Sequence, residues 1–347
     1  MKKILLLFSS FVLLLPVISQ NTDKGKNKIQ AEQIFNEAVE LIQKQDYTAA
    51  VTDLDRAIQL YPGFAQAYLQ RGKSLFQLQN RNLAIGDFDK AIELNSGLGE
   101  AYFCRAFAQF AIDTSSVRLD DLDNAIQFGY AEPHAYYYRG LVRLIRNDNE
   151  GAITDFSKAI ELRPNYAKAY HDRGTAKRIT GDYQGAIYDY RMALSYNPKI
   201  SIAYDNMGSS KKLIGDFQGA DKDFSLAIAL DSSFYMAYNN RGGARFVLGD
   251  LEGAQADFEK ALELKPDYLF ALCNMGNVYA KKGEYEKAIE LYDHVIVFSP
   301  DYSIAYLNRG LTKELLGDLQ GACIDWKLAL ELGLQDAENY LKECDQQ

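Results

Sequence analysis

Ala237-Tyr-Asn-Asn-Arg-Gly-Gly-Ala-Arg-Phe-Val-Leu-Gly-Asp-Leu-Glu-Gly-Ala-Gln-Ala-Asp-Phe-Glu-Lys-Ala-Leu-Glu-Leu-Lys-Pro266 is a stretch that recurs along the chain at intervals of 34 residues. One interval upstream, Ala203-Tyr-Asp-Asn-Met-Gly opens the same pattern, and Ala305-Tyr-Leu-Asn-Arg-Gly opens it again further downstream. A fixed period of this length is the sequence signature of a solenoid, in which each unit packs on its neighbours. The 347 residues are therefore predicted to form one elongated repeat domain rather than two or three separate domains.

Nine units of 34 residues follow one another without insertion from residue 31 to residue 336. Their eighth place carries a small residue, mostly glycine, and a second small residue, mostly alanine, follows twelve positions later. Because glycine inside a helix costs about 1 kcal/mol relative to alanine, its recurrence indicates two helices in close contact. Each unit is thus predicted to be an antiparallel helical hairpin. The units span residues 31–64, 65–98, 99–132, 133–166, 167–200, 201–234, 235–268, 269–302 and 303–336.

Turn residues fall where such hairpins need them. Pairs such as Gly249-Asp250 separate the first helix of a unit from the second, and prolines such as Pro266 follow the second helix. In the third unit Arg118 replaces the packing alanine, so the second helix of that unit is predicted to start late. Residues 337–347 restart the pattern as a single polar helix, which is predicted to cap the array.

The chain resembles the tetratricopeptide repeat family over residues 31–336, where the small, alanine, aromatic and proline places of that family are occupied. The resemblance implies an all-α solenoid, a right-handed superhelix of nine helix-turn-helix hairpins plus the capping helix. It also implies that the first helices line a concave groove that binds a protein or an extended peptide. One departure is tyrosine, as in Tyr204 and Tyr238, at a place where the family mostly has tryptophan.

Another departure is an arginine at the seventh place of six units, where the family mostly has leucine. Each of these arginines is followed by an aspartate sixteen residues later, and the eighth unit lacks both, with Met275 and Leu291. We predict an ion pair that joins the two helices of each hairpin. In the sixth unit Lys211 is predicted to replace the arginine opposite Asp223. The six pairs are Arg71–Asp87, Arg105–Asp121, Arg139–Asp155, Arg173–Asp189, Arg241–Asp257 and Arg309–Asp325.

The first residues have the composition of a bacterial secretory signal peptide. A lysine-containing start precedes an apolar run from Ile4 to Ile18, and small residues at its end predict cleavage after Ser19. Residues 1–19 are thus predicted to be a signal peptide and residues 20–30 a flexible linker, in an exported protein that is periplasmic or secreted. The alternative is a retained membrane anchor, for which the apolar run is short. After cleavage no membrane insertion is expected.

Composition bears on partners and on catalysis. A formal net charge of −9 repels phosphate backbones, so no nucleic-acid partner is expected. His134 and His171 fall in adjacent units, but without a set of carboxylate ligands they make a weak metal site. We therefore predict no metal, no cofactor and no enzymatic activity. Cys323 and Cys344 are placed to meet, either as a disulfide or as two free thiols.

A row of asparagines marks the predicted groove in the later units. Each amide carries both donors and an acceptor, so the row is suited to hold a peptide backbone regardless of its sequence. It is similar to the asparagine ladder in the repeat region of O-linked N-acetylglucosamine transferases, whose catalytic domain is absent here. The alternative is that each side chain bonds to the next turn or unit. The row comprises Asp172, Asn206, Asn240, Asn274 and Asn308.

The predicted groove is apolar in the earlier units. An aromatic lining suits an amphipathic helix or an apolar peptide side chain, but the same rings could instead pack against neighbouring units. The aromatic candidates are Phe76, Phe103, Phe107, Phe110 and Tyr137.

Taken with the resemblance, these patterns predict a non-catalytic scaffold that binds a protein or an extended peptide in its groove. The alternative function is a structural component of an envelope or secretion assembly that docks through the edges or the convex face.

Overall fold

The computed structural model describes residues 23–114, 117–342 and 344 of the chain. Over these residues the chain is all helical, with nineteen α-helices in a repeated helix-turn-helix array and no strand. The predicted all-α repeat architecture is confirmed. The predicted signal peptide, residues 1–19, lies outside the described residues.

The chain divides into two compact units, one that runs through Val142 and one that begins at Arg143, and α7 spans the division. In the first unit α1 pairs with α2, α3 with α4 and α5 with α6, while α2 also packs on α3 and α4 on α5. The helices that begin in this unit are α1 Asp23–Gln43, α2 Tyr47–Leu60, α3 Ala65–Gln77, α4 Arg81–Leu94, α5 Gly99–Ile112, α6 Leu119–Gln127 and α7 Pro133–Ile145.

In the second unit the hairpins are α9 with α10, α11 with α12, α13 with α14, α15 with α16 and α17 with α18. Each second helix also packs on the first helix of the next hairpin. The helices are α8 Asn149–Leu162, α9 Ala167–Ile179, α10 Tyr183–Tyr196, α11 Ser201–Leu213, α12 Phe217–Leu230, α13 Tyr235–Leu248, α14 Leu251–Leu264, α15 Leu269–Lys281, α16 Tyr285–Phe298, α17 Ser303–Leu316, α18 Leu319–Glu331 and α19 Glu338–Leu341.

The turn inside most hairpins of the second compact unit has a recurrent geometry. Gly249 ends α13 with φ of 84°, in the left-handed region that favours glycine, and the Asp250 side chain accepts a hydrogen bond from the Gly253 backbone N–H. A Cβ on Gly253 would lie 2.1 Å from Asp250 Oδ2, so a larger residue there would shift the capping carboxylate; in the first repeat Asp46 makes the same cap to Ala49. The Gly-Asp-X-X-Gly pattern therefore encodes the end of one helix and the beginning of the next.

Glycine at the eighth place lets an aromatic ring of the second helix lie against the first helix. A Cβ on Gly72 would lie 2.6 Å from Phe88 Cε1 and 3.1 Å from the Ala84 carbonyl oxygen. Phe88 itself is buried, and the hairpin core is built on this contact. The same contact is made by Gly174 with Tyr190, Gly208 with Phe224, Gly242 with Phe258, Gly276 with Tyr292 and Gly310 with Trp326.

Two glycines of the second repeat provide a matched test of this packing. Gly72→Ala is expected to lower the free energy of unfolding by about 1–3 kcal/mol, because the added methyl group overpacks Phe88. Gly86→Ala on α4 is expected to raise it by about 1 kcal/mol, since no atom lies within 4 Å of the added Cβ and alanine favours the helix. Hydrogen–deuterium exchange of α3 and α4 in both variants checks the prediction, because the repeats open locally, and slower exchange in Gly72→Ala would contradict it.

The predicted ion pairs join the helices of a hairpin. Arg71 donates from Nε and Nη2 to the buried Asp87 at 2.8 and 2.6 Å, and its Nη1 donates to Asp55 of the preceding hairpin at 2.6 Å. One guanidinium thus connects α2, α3 and α4. The two-pronged contact recurs in Arg105–Asp121, Arg173–Asp189, Arg241–Asp257 and Arg309–Asp325.

In two repeats a different cation contacts this aspartate. Lys211 donates to Asp223 at 2.7 Å, which confirms its predicted role in the sixth repeat. In the fourth repeat Asp155 accepts from Arg143 at 2.8 Å, one turn after Arg139, while Arg139 contacts Asp123 at 2.8 Å. A second cation also reaches the aspartate in the later repeats, because Lys177, Arg245 and Lys313 each contact the aspartate already held by an arginine.

Helix boundaries differ from the sequence expectation at the two ends of the array. Helix α1 begins at Asp23, so residues 23–30 of the predicted linker are helical; Lys28 lies one turn before Glu32 and over the Tyr61 ring. In place of one helix over residues 337–347, a 3-10 turn at Gln335–Ala337 leads into the four-residue helix α19. In the third repeat α6 begins late, at Leu119, as predicted.

Candidate functional site

The first helices of the later repeats form a continuous wall in the second compact unit. Helix α9 contacts α11, α11 contacts α13, α13 contacts α15 and α15 contacts α17. On each helix the second, sixth, ninth and thirteenth places are spaced by three or four residues and share one side. We call this side of α9, α11, α13, α15 and α17 the first-helix face.

The asparagines of the ladder lie on this face and bridge neighbouring repeats. Asn240 Nδ2 donates to Asp205 Oδ1 at 3.0 Å, and Asn274 Nδ2 donates to Asn239 Oδ1 at 2.9 Å. Asn206 Nδ2 lies 3.3 Å from His171 Nε2, and Asn308 Nδ2 lies 3.5 Å from Cys273 Sγ. In all four contacts the partner is 35 residues earlier, so each amide nitrogen links one first helix to the previous one.

These contacts use one donor of each ladder asparagine within the protein itself. All four side chains remain partly exposed. The ladder therefore has the inter-repeat role that was the alternative to ligand binding, and its second role as a holder of a peptide backbone stays a prediction. Asp172, which precedes the ladder, lies 2.8 Å from His171 Nδ1 through Oδ1 and fixes the orientation of that ring.

The aromatic candidates of the earlier repeats are mostly core residues. Phe103 is only 2% exposed, its ring stacks on Tyr130 at 4.9 Å, and Phe107 contacts Phe76 at 5.3 Å. Tyr137 is also buried, which leaves Phe110 as the one partly exposed ring among the five candidates. Four of the five rings are buried, so a ligand could reach them only if the core opened. They pack against neighbouring helices, which was the alternative to ligand binding.

Tyr138 lies at the centre of this aromatic cluster, but it was not among the site residues predicted from the sequence. Its ring lies 5.0 Å from Phe107 and 5.3 Å from Phe110. Burial raises the pKa of the Tyr138 hydroxyl to about 12, so it stays neutral. Tyr138 occupies the sixth place of the fourth repeat, which holds the ladder asparagines in the later repeats. This position in the repeat is the sequence signal by which it could have been found.

Apolar side chains at the second place form a stripe that the sequence analysis also missed. They lie one helical turn before the ladder asparagines, and Phe270 is 54% exposed. A second exposed row at the thirteenth place lies on the other side of the ladder. Single exposed apolar residues need no explanation, but two aligned rows beside a polar row make an extended amphipathic surface. The stripe comprises Ile202, Met236, Phe270 and Ile304, and the second row Ile179, Leu213, Val247 and Leu315.

Charged groups of α9 and α11 interact with one another beside the ladder. Asp205 is buried, and its burial raises the pKa of its carboxyl group although Asn240 donates to it. Burial also lowers the pKa of Lys212, and the nearby Asp205 carboxylate partly offsets this effect. Arg178 acts on the same carboxylate. This face therefore contains a partly desolvated charge cluster rather than a uniform amide surface.

No arrangement for metal chemistry is found among the described residues, where no group of three or more His, Cys, Asp or Glu side chains is placed to hold an ion. The two free thiols, Cys104 and Cys273, are buried, and burial raises the pKa of the Cys273 thiol to about 11, which makes it a poor nucleophile. No described helix is both long and apolar enough to cross a membrane.

Family comparisons agree with the repeat architecture. Family models described as TPR repeat match residues 140–177 and 276–317, and models described as tetratricopeptide repeat match residues 35–98 and 233–296. These matches together cover more than half of the chain, and the chain belongs to the tetratricopeptide repeat family. Proteins of this family and fold are generally non-catalytic scaffolds for protein interactions, and no enzyme family is indicated. None of the curated proteins matches the chain.

Solved structures share the fold at low sequence identity. The chain is similar to YrrB, described as a TPR protein with an unusual peptide-binding site, at 20% identity over 53% of this chain and 95% of that chain, with a TM-score of 0.50. It is similar to a tetratricopeptide repeat protein from Parabacteroides merdae ATCC 43184 at 18% identity, covering 70% and 97%, with a TM-score of 0.57. It is also similar to a structure described as the APC/C hetero-tetramer Cut9-Hcn1, at 14% identity over 91% of this chain and 84% of that chain, with a TM-score of 0.57.

Proposed function

We propose that this protein is a non-catalytic scaffold that binds a protein or an extended peptide on the first-helix face. The observation that carries the proposal is the alignment of the partly exposed asparagine ladder between two exposed apolar rows. An extended chain presents backbone amides along its length and side chains on alternate sides, so it matches a polar row flanked by apolar rows. YrrB, which shares the fold, is described as having a peptide-binding site.

Docking through another surface is the second candidate function. On α16 the side chains of Val297 and Phe298 are 77% and 63% exposed, and both lie on a second helix rather than on the first-helix face. A component of a larger envelope or secretion assembly would use such a site, and the first-helix face would then have only its inter-repeat role.

We further propose that the protein is exported. The signal-peptide pattern over residues 1–19 and the Cys323–Cys344 disulfide support this location, because disulfides persist mainly in oxidising compartments. The mature chain is then expected in the periplasm or outside the cell, without membrane insertion and without nucleic-acid partners.

A comparison of surface variants tests the function. Mature protein is crosslinked in the envelope fraction of its own cells, and captured partners are quantified for the parent, for Ile202/Met236/Phe270→Ser and for the control Val297/Phe298→Ser. We expect the first variant to lose at least about tenfold of the captured partner, as for the loss of several buried apolar contacts, and the control to keep it.

The reverse result would favour docking through α16, and equal capture by all three proteins would contradict both sites. The apolar stripe is chosen because substitution of Asn206, Asn240 and Asn274 by alanine also removes contacts between repeats. That triple alanine variant is therefore run only beside a thermal melt, which separates lost binding from lost folding.

A further inference from the structure

Aromatic side chains follow one another along the N-terminal ends of α15 and α17. Tyr268 directly precedes α15, Phe270 is the second residue of that helix, and Tyr302 directly precedes α17. The Phe270 ring lies 5.6 Å from the Tyr268 ring and 5.8 Å from the Tyr302 ring, and the planes of the latter pair are 85° apart. We call these three rings the aromatic strip. It connects two neighbouring repeats within the second compact unit.

The aromatic strip is held in place at its Tyr268 end. The Tyr235 ring lies 4.9 Å from the Tyr268 ring, and Lys265 Nζ lies 5.1 Å from the centroid of Tyr235 and 5.8 Å from that of Tyr268. Cation–π and edge-to-face contacts of this kind favour one arrangement of the rings. Phe270, in the middle of the strip, is 54% exposed, and the two tyrosines beside it are partly exposed. A preformed aromatic surface therefore faces solvent.

Packing between helices does not require tyrosine at the last place of a repeat, which Tyr268 and Tyr302 occupy. Leu98 and Ile200 hold the same place in other repeats and pack, partly buried, against the cores there. Tyr302 packs in the same way against the core of α15 and α16. An aliphatic side chain is thus sufficient for the packing role, and the rings and hydroxyl groups of the two tyrosines are additional to it.

The two hydroxyl groups of the strip are available as hydrogen-bond donors. Neither the Tyr268 nor the Tyr302 hydroxyl makes a hydrogen bond with any residue that the structure describes. Burial raises the pKa of the Tyr268 hydroxyl, and it raises that of Tyr302 to about 12, so both stay protonated at neutral pH. A neutral phenol donates one hydrogen bond. Each of these tyrosines therefore combines an apolar ring with an unused donor.

A polyproline II helix matches this arrangement in spacing and in bonding. It has three residues per turn, and one turn advances about 9 Å. Helices α15 and α17 contact each other, and helices in contact lie about 8–10 Å apart, so Tyr268 and Tyr302 recur at about one turn of such a ligand. The carbonyl groups of this helix make no internal hydrogen bond and are free to accept from the tyrosine hydroxyls. Proline-rich segments dock on aromatic surfaces because their bound conformation costs little entropy.

We propose that the aromatic strip binds a proline-rich segment of the partner in the polyproline II conformation, with a proline at every third residue against the rings. This inference rests on the proposed peptide-binding function and names the ligand chemistry of that site. Phe270 and Asn274 are four residues apart and share one side of α15, so the ladder amide is within reach of the same ligand. The rings select proline, and the hydroxyl and amide groups bind the backbone between the prolines.

Two peptide libraries test the selection of proline. Both hold random dodecapeptides with acetylated and amidated ends, with proline fixed at every third position in one library and alanine at the same positions in the other. Each library is passed over the full-length mature protein, and the retained peptides are counted. We expect the proline library to be retained at least about tenfold better, because alanine peptides lose more conformational entropy on binding and lack the ring contacts.

The best peptide is then measured against variants by fluorescence anisotropy. Tyr268→Leu and Tyr302→Leu introduce the aliphatic side chain that other repeats have at this place, and each is expected to weaken binding about tenfold. Tyr302→Phe keeps the ring and removes only the hydroxyl group, so it is expected to weaken binding about threefold and serves if a leucine variant fails to fold in a thermal melt. The matched control is Phe298→Ser, which removes an exposed ring of α16 and is expected to leave binding unchanged.

The outcomes separate the inference from the proposed function. Equal retention of the two libraries, or equal weakening by Phe298→Ser and Tyr302→Leu, refutes the proline site, and peptide binding stands. Retention of neither library also refutes the proline site, and the crosslinking experiment with Ile202/Met236/Phe270→Ser then decides alone whether the proposed function stands. Aromatic rings also stack on sugars, so cellohexaose is tested as well. If cellohexaose binds the parent and not Tyr302→Leu while no peptide is retained, the strip is a glycan site and the inference is refuted.

Discussion

The Arg71→Met variant is expected to lose about 3–5 kcal/mol of its free energy of unfolding, because it leaves the Asp87 carboxylate buried without a bonded cation. Asp87 is only 6% exposed, and both of its oxygens accept from Arg71. The same change also removes the cation that contacts Asp55, but that side chain is half exposed, so water replaces the lost contact at little cost in free energy. The loss is thus centred on one buried carboxylate.

Arg71→Met combined with Asp87→Leu is expected to recover most of the lost stability. The eighth repeat already carries this pair of residues, Met275 and Leu291, and Met275 is buried there beside Phe258 and Leu291. Replacing a buried ion pair by apolar side chains of similar volume is often neutral or stabilising. The double variant therefore introduces into the second repeat the apolar residue pair that the eighth repeat already has.

Hydrogen–deuterium exchange of α3 and α4 is the suitable measurement, because the repeats of such an array open locally and one global free energy is poorly defined. The parent, both single variants and the double variant complete the cycle. If Arg71→Met and the double variant exchange at equal rates, the buried ion pair has no coupling energy and the explanation fails.

The seventh repeat provides an internal comparison. There Asp257 accepts from Arg241 at 2.6 Å and also from Arg245 at 2.9 Å, so Arg241→Met leaves one cation in place. Its cost is expected to be about 1–3 kcal/mol, nearer to that of a single charged hydrogen bond. Arg241→Met alone should still be less stable than Arg241→Met with Asp257→Leu, in which Arg245 retains its contact with Asp221.

The periodic sequence predicts the helices and the contacts within each hairpin because both depend on local spacing. Glycine at the eighth place, the capping aspartate after the turn and the arginine–aspartate pair sixteen residues apart recur with the repeat. Their partners thus lie at fixed separations, as in Gly72 with Phe88 and Arg71 with Asp87. Because the pattern recurs, the repeats can be aligned with one another, and paired positions that a single unit would not reveal become visible.

Contacts between hairpins are less accessible from the sequence, because the partner type changes from repeat to repeat. The ladder amides reach 35 residues back to His171, Asp205, Asn239 and Cys273, and no common residue type marks that place. The aromatic residues of the earlier repeats present a similar problem. A phenylalanine on the first helix has the same spacing whether it lines a surface or, like Phe103, stacks on Tyr130 in the core.

Reduction of the Cys323–Cys344 disulfide is expected to release the C-terminal turn from α18. The bridge closes a separation of 21 residues, and in the chain-entropy account a loop of this size contributes about 3 kcal/mol. The helix that it holds, α19, has only four residues and cannot be stable alone. Ala337 is fully buried under this segment, and the Tyr340 ring lies 5.4 Å from Trp326.

Trp326 is the single tryptophan of the chain and is fully buried, so its fluorescence reports the release directly. We expect a red shift on reduction, and amide exchange of Gln335–Leu341 about a hundredfold faster, since 1.4 kcal/mol corresponds to a factor of ten. The Cys344→Ser variant should behave as the reduced parent and should not respond to reductant, while Cys104 and Cys273 are free thiols in both. An unchanged spectrum in the reduced parent would contradict this prediction. It would mean that the packing of Ala337 and Tyr340 alone stabilises the segment by more than the conformational entropy it gains when the crosslink is removed.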